Sequence, residues 1–103
     1  MTRHEAEAIL VRIASLEITL SRTTHARARA GTRGFTLFDV IAVLNTHVIQ
    51  QAPRWNEKHS SDRVSLRGRC LKGRPTRVIL DLRPDGHCRL VTLMVAHDSS
   101  RRR

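Results

Sequence analysis

The chain has 103 residues, with 19 Lys and Arg against 9 Asp and Glu, a formal charge of +10. That length allows one domain near the low end of the usual range, and excludes a two-lobed dinucleotide fold or an eight-fold barrel. Hydrophobic residues at 40% and charged residues at 27% suit a small packed core rather than general disorder. The longest apolar runs, such as residues 40–44, fall far short of the roughly 18 residues of a membrane span. The first residues show no signal-peptide pattern, so the expectation is a cytoplasmic protein with no membrane partner. Residues 1–98 are expected to form one α+β domain and residues 99–103 a basic flexible tail.

In chain order, Thr2 with Glu5 three residues later fits a capping box. Ile9, Leu10, Ile13 and Leu16 recur at helical spacing, which predicts a helix over residues 3–15. Residues 16–21 alternate apolar and polar and read as a short strand. Thr23 or Thr24 can cap a second, Ala-rich helix over residues 25–31. Thr36 caps a third helix, with Asp39 in its first turn, where its charge suits the dipole, and Leu37, Val40, Ile41 and Leu44 as its apolar stripe.

The period then changes. Residues 48–52 look extended, Pro53 interrupts, and residues 55–62 read as a polar loop. Val64, Leu66 and Cys70 suggest a strand with Arg67 and Arg69 on the open side. Residues 72–75 are a turn, residues 77–82 a strand rich in β-formers, and Pro84-Asp85-Gly86 a hairpin signal before a last strand over residues 90–95. The predicted fold is therefore α+β, with N-terminal helices packed on an antiparallel sheet of three to four strands and the other sheet face partly open. Phe35 and Phe38 are expected in the core, and Trp55 over a core edge.

A surplus this large on so small a surface points to polyanionic partners. The positive charge is clustered. No acid lies between Glu17 and Asp39, a stretch holding Arg22, His25, Arg27, Arg29 and Arg33. None lies between Asp62 and Asp81, where Arg63, Arg67, Arg69, Lys72, Arg74 and Arg77 fall. Arg67, Arg69, Lys72, Arg74 and Arg77, with Arg27, are candidate phosphate contacts. Their alternative role is edge-strand protection by charge. Cys70 and Cys88 lack a metal-binding spacing and are expected to be reduced thiols on adjacent strands, so neither a metal nor another cofactor is expected.

His25, Arg29 and Arg33 stand at i, i+4 and i+8, which lines them along one side of a helix. Metal-free phosphodiester cleavage needs such a set. One group takes the 2′-hydroxyl proton, guanidinium groups stabilise the phosphorane charge, and another group protonates the leaving oxygen. Histidine, with a reference pKa near 6.5, suits the proton work, and the planar Arg fork suits phosphate. His87 and His97 are candidates for a second acid or base. Each has the plainer reading of an exposed turn residue.

The segment Thr24-His25-Ala26-Arg27-Ala28-Arg29, followed by Arg33-Gly34-Phe35 and Asp39-Val40, resembles a family of small bacterial proteins with the signature H-A-x-x-R-x-x-x-R-G-[IF]. That family is compared to the RelE-like and MqsR-like toxin ribonucleases. The resemblance implies a RelE-like fold and a metal-independent endoribonuclease of a toxin–antitoxin system. It implies His25, Arg29 and Arg33 as the polar signature, RNA (including ribosome-bound mRNA) as substrate, and an acidic antitoxin as partner. The alternatives from the residues alone are a non-catalytic basic nucleic-acid-binding or protein-interaction module, and a small adaptor or inhibitor of mobile-element origin.

Overall fold

The computed structural model describes residues 1–23, 26 and 34–96. Of the predicted second helix only Ala26 falls among them, and the tail at residues 99–103 lies outside them.

Helix α1 spans Arg3–Ala14. The Thr2 hydroxyl accepts from Glu5 N–H at 3.1 Å, and the Glu5 carboxylate accepts from Thr2 N–H at 2.8 Å. This is the reciprocal capping box expected from the two residue types. The helix ends where Leu16 turns left-handed at φ 64° and Arg12 O accepts from both Glu17 and Ile18 N–H. That turn consumes residues 15–19, so strand β1 is only Leu20–Arg22, later and shorter than the alternation at residues 16–21 suggests. Beyond it, Thr23 N–H donates to Leu90 O, and the Thr23 hydroxyl accepts from Ala26 N–H at 3.0 Å.

Helix α2 spans Leu37–Asn45, and its entry is organised by Asp39, which is 7% exposed. One carboxylate oxygen accepts from the Thr36 N–H at 2.9 Å and the Thr36 hydroxyl at 3.3 Å. The other accepts from Leu71 N–H at 3.1 Å, tying the helix start to the turn that follows β3. At the far end, His47 bonds Leu44 O and the Glu7 carboxylate, joining α2 to α1.

Strands β2 (Val48–Asn56), β3 (Ser61–Arg69), β4 (Pro75–Leu82) and β5 (Cys88–Val95) follow, with a 3₁₀ turn at Glu57–His59 before β3. They form an antiparallel meander, and β1 adds to β5 in parallel, giving a five-stranded sheet of order β1-β5-β4-β3-β2. This corrects the predicted fold in two respects. The sheet is mixed and has five strands rather than three to four antiparallel ones, and the described helices are not both N-terminal, since α2 lies between β1 and β2. A parallel strand leaves no hairpin signal in the sequence, so β1 could not be assigned to the sheet from local pattern. Strand β2 runs through Pro53 because it is an edge strand, where a missing N–H costs no ladder bond. Its register shifts between Ile49 and Gln51 and again between Gln51 and Arg54.

The core lies on one face of the sheet. Ala6, Leu10 and Ile13 of α1 and Val40, Val43 and Leu44 of α2 are buried with Val64, Leu66, Val78, Leu80, Leu90 and Leu93 of the strands. Phe35 packs against this cluster from its edge, whereas Phe38 is 66% exposed, against expectation. Cys70 and Cys88 are both buried free thiols, but they are not neighbours. Cys70 follows the end of β3, and Cys88 begins β5 opposite Leu20.

Gly68 marks the closest approach of α2 to the sheet. A Cβ there would lie 2.6 Å from Val43 O and 2.9 Å from Thr46 Oγ1. The Thr46 hydroxyl also accepts from Arg69 N–H at 2.9 Å, so helix end and strand are bonded at the point of contact. Gly68→Ala is therefore expected to cost about 1–3 kcal/mol as overpacking against backbone, read as a lower urea midpoint with an unchanged slope.

Candidate nucleic-acid interface

With both described helices on one face, strand pairing writes out the other face row by row. Antiparallel partners share a face, so the register places Arg54, Arg63, Asp81 and Arg89 in one row across β2, β3, β4 and β5. The next row is Gln51, Ser65, Ile79 and Thr92, which carries no charge. The third is Val48, Arg67, Arg77 and Met94. Two arginine rows thus flank an uncharged one. Arg63 and Arg67 are four residues apart on one strand, a separation of about 13 Å.

The acid in the first row is neutralised by its neighbours. Asp81 Oδ1 accepts from Arg63 Nε at 2.9 Å, and its Oδ2 accepts from Arg63 Nη2 at 3.1 Å and Arg89 Nη2 at 2.8 Å. Its side chain is 3% exposed, while those of Arg63 and Arg89 are 38% and 33% exposed. Burial pushes the Asp81 carboxyl up, but the hydrogen bonds from Arg63 and Arg89 outweigh it and hold it below its ordinary range. The same pairing raises Arg63. The carboxylate fixes two guanidinium groups in place and leaves the row with a net positive charge.

The rows enclose a groove of about 520 Å³. Arg54, Lys58, Arg63 and Arg77 line it, with Gln51, Ala52 and Ile79 between them. The bulges of β2 and the 3₁₀ turn make its wall. Trp55 also lines it and is 59% exposed, so it does not seal a core edge as its residue type suggested. Arg77 Nε donates to Gln50 Oε1 at 3.1 Å, which orients the guanidinium over β2.

The five residues read from sequence as one phosphate patch separate into two groups. Arg67 and Arg77 face each other in the third row. Arg69 alternates onto the same face as Arg67, but its guanidinium donates to Gly73 O in the turn. Lys72 and Arg74 line a smaller hollow of about 250 Å³ at that turn, with Asp39 and Cys70. Burial there pushes the Cys70 thiol up, but hydrogen bonds from Thr76, Lys72 and Arg74 outweigh it, so the net shift is downward.

His87 lies in the β4–β5 turn, in a hollow of about 270 Å³ that it shares with His59, Arg83 and Arg89. Its ring stands 3.2 Å from Asp85, which also accepts from His87 N–H at 2.9 Å and pairs with Arg83 at 3.0 Å. His25, Arg27, Arg29, Arg33 and His97 lie outside the described residues. Sequence reasoning passed over Arg54, Arg89, Lys58 and, as a site residue, Arg63. Only Arg63 carried a usable signal, since it shares the period-two spacing of Arg67 and Arg69. The others enter through register, which local pattern does not give.

Replacing Asp81 by Asn leaves Arg63 and Arg89 without their anion, though both reach solvent. A loss of about 2 kcal/mol at pH 7 is expected, below the 3–5 kcal/mol of a fully buried broken pair. Because the folded carboxyl is held low, its contribution is present above the unfolded value near 3.9 and fades as pH falls below it. Acid titration of unfolding should therefore show a shallower loss of stability below about pH 4 in Asp81→Asn than in the parent.

No curated protein and no solved structure gives a significant match to the chain. Residues 23–95 match the model of a family described as a domain of unknown function, DUF4258. The match takes in everything from the residue after β1 to the end of β5, including both arginine rows and the groove between them. Spanning well over half of the sequence, it shows that the chain belongs to this family.

Proposed function

We propose that the protein binds RNA through the open sheet face and acts as a metal-independent endoribonuclease of the toxin type. The observation that carries the reading is the pair of arginine rows on the one face that no described helix covers, with Asp81 already neutralised by Arg63 and Arg89. Fixed guanidinium forks spaced along a sheet suit phosphate groups spaced along a nucleic-acid strand. In this reading the rows position the strand, and cleavage falls to His25, with Arg29 and Arg33 on the phosphate. The imidazole takes the 2′-hydroxyl proton as the 2′-oxygen attacks phosphorus, and a second acid, His87 or His97, protonates the departing 5′-oxygen. The products are a 2′,3′-cyclic phosphate and a 5′-hydroxyl. No helix among the described residues is long and apolar enough to cross a membrane. The proposal puts the protein in the cytoplasm, where messenger RNA is found, with an acidic antitoxin able to cover the same basic face.

The second reading, an RNA-binding module without chemistry, is favoured by one feature. His87, the described member of the proposed acid–base set, is bonded to Asp85 within its own turn. One experiment separates the two. Purified protein is incubated with RNA in the presence of a chelator, beside His25→Ala. The toxin reading predicts fragments ending in cyclic phosphate that disappear with His25→Ala while RNA is still bound. Binding with a steep salt dependence and no fragments selects the module. In either case Arg67→Gln with Arg77→Gln should lower the slope of log affinity against log salt by about two, one for each phosphate contact removed.

A further inference from the structure

The arginine rows account for phosphate binding, but they do not account for the groove between them. A flat basic face would serve a polyanion as well. Here the wall raised by β2 and the 3₁₀ turn leaves a concave space of about 520 Å³, within the range of sites that enclose small organic groups. Its lining mixes apolar and polar side chains, with Ser65 beside Ile79 and the Glu57 carboxylate at the 3₁₀ turn. Ile79 and Ala52 offer a surface without charge, and the amides of Gln51 and Asn56 offer donors and acceptors. The Asn56 Oδ1 already accepts from Lys58 N–H at 3.1 Å, so its amino group is oriented to donate. Arg63 and Arg77 stand on either side.

Uncharged side chains at Ala52 and Ile79, two amides and flanking guanidinium groups match the parts of one nucleotide: a base with hydrogen-bonding edges, held between the phosphates on either side of it. We propose that this groove is a subsite for one unpaired base, which makes the open face selective for single-stranded over duplex RNA. The proposal rests on the RNA-binding reading and deepens it. In a duplex the bases are stacked and paired inside the helix, and the narrow, deep major groove of the A-form withholds their edges. A duplex can lie on the arginine rows but cannot send a base into the groove. A single strand can do both, and binding a splayed base adds favourable energy that the duplex does not gain.

Trp55 is the chain's one tryptophan and lines the groove, so its fluorescence reports occupancy. The test titrates the full chain with a twelve-residue oligouridylate and with a twelve-base-pair RNA duplex, in the same buffer and salt. The single strand is expected to bind at least tenfold more tightly and to change Trp55 emission, with the duplex changing it far less. Gln51→Ala combined with Asn56→Ala, both on the edge strand and leaving charge unaltered, should weaken the single strand by about tenfold and leave the duplex unchanged. Ile79→Ser is a second variant with the same expected pattern. Equal affinity for the two RNAs, or variants that weaken both alike, would overturn the subsite while leaving RNA binding intact. If neither RNA binds, the underlying reading fails with it.

Discussion

The seating of α2 on β3 decides which face of this protein meets its surroundings. Gly68 has no side chain where Val43 O and Thr46 Oγ1 press on the strand, so the helix backbone comes down to contact distance. Thr46 bonds the strand at one end of α2, and Asp39 bonds the turn after β3 near the other. With α2 fixed at both ends and joined to α1 through His47 and Glu7, both described helices stay on a single face. The apolar residues of α1, α2 and the strands can be satisfied there alone. The charged residues of the strands are left together on the face no described helix covers.

The arrangement of that second face follows from pairing. Alternation alone would give each strand some outward arginines. Antiparallel register aligns them, so Arg54, Arg63 and Arg89 share a row with Asp81, and Arg67 and Arg77 share another. Asp81 is central to the first row. Without it, three guanidinium groups would crowd one line of the sheet. With it, two of them are held in a fixed geometry by charge-assisted bonds, and the row keeps a positive balance. The uncharged row between, and the bulged stretch of β2 with the 3₁₀ turn beside it, turn a basic surface into a groove.

Much of this was legible in the sequence. Thr2 and Glu5, Thr36 and Asp39, and Pro84-Asp85-Gly86 each announce a local structure through chemistry that acts within a few residues, and each element stands close to where those residues put it. The turns at residues 72–75 and 84–86 marked the β3–β4 and β4–β5 connections, but not the five-stranded mixed sheet they belong to. Information that depends on distant partners was not legible. Strand β1 needs β5, some seventy positions later, before it belongs to the sheet. The region around Pro53 and Trp55 read as a break because the pattern does not say that β2 is an edge strand. For the site, the charge clusters named the residue class. They did not separate Arg67 and Arg77 from Lys72 and Arg74, and they missed Arg54 and Arg89, whose roles exist only through register.

The central claim is that the sheet face no described helix covers is the RNA surface. Photo-crosslinking tests it directly. A short single-stranded RNA carrying 4-thiouridine is irradiated with the full chain, and the attached peptides are identified by mass spectrometry. The account predicts attachment within residues 50–56 of β2 and residues 63–79 of β3 and β4, lost on competition with unmodified RNA. Attachment confined to α1 and α2, with the strands free of it, would contradict it.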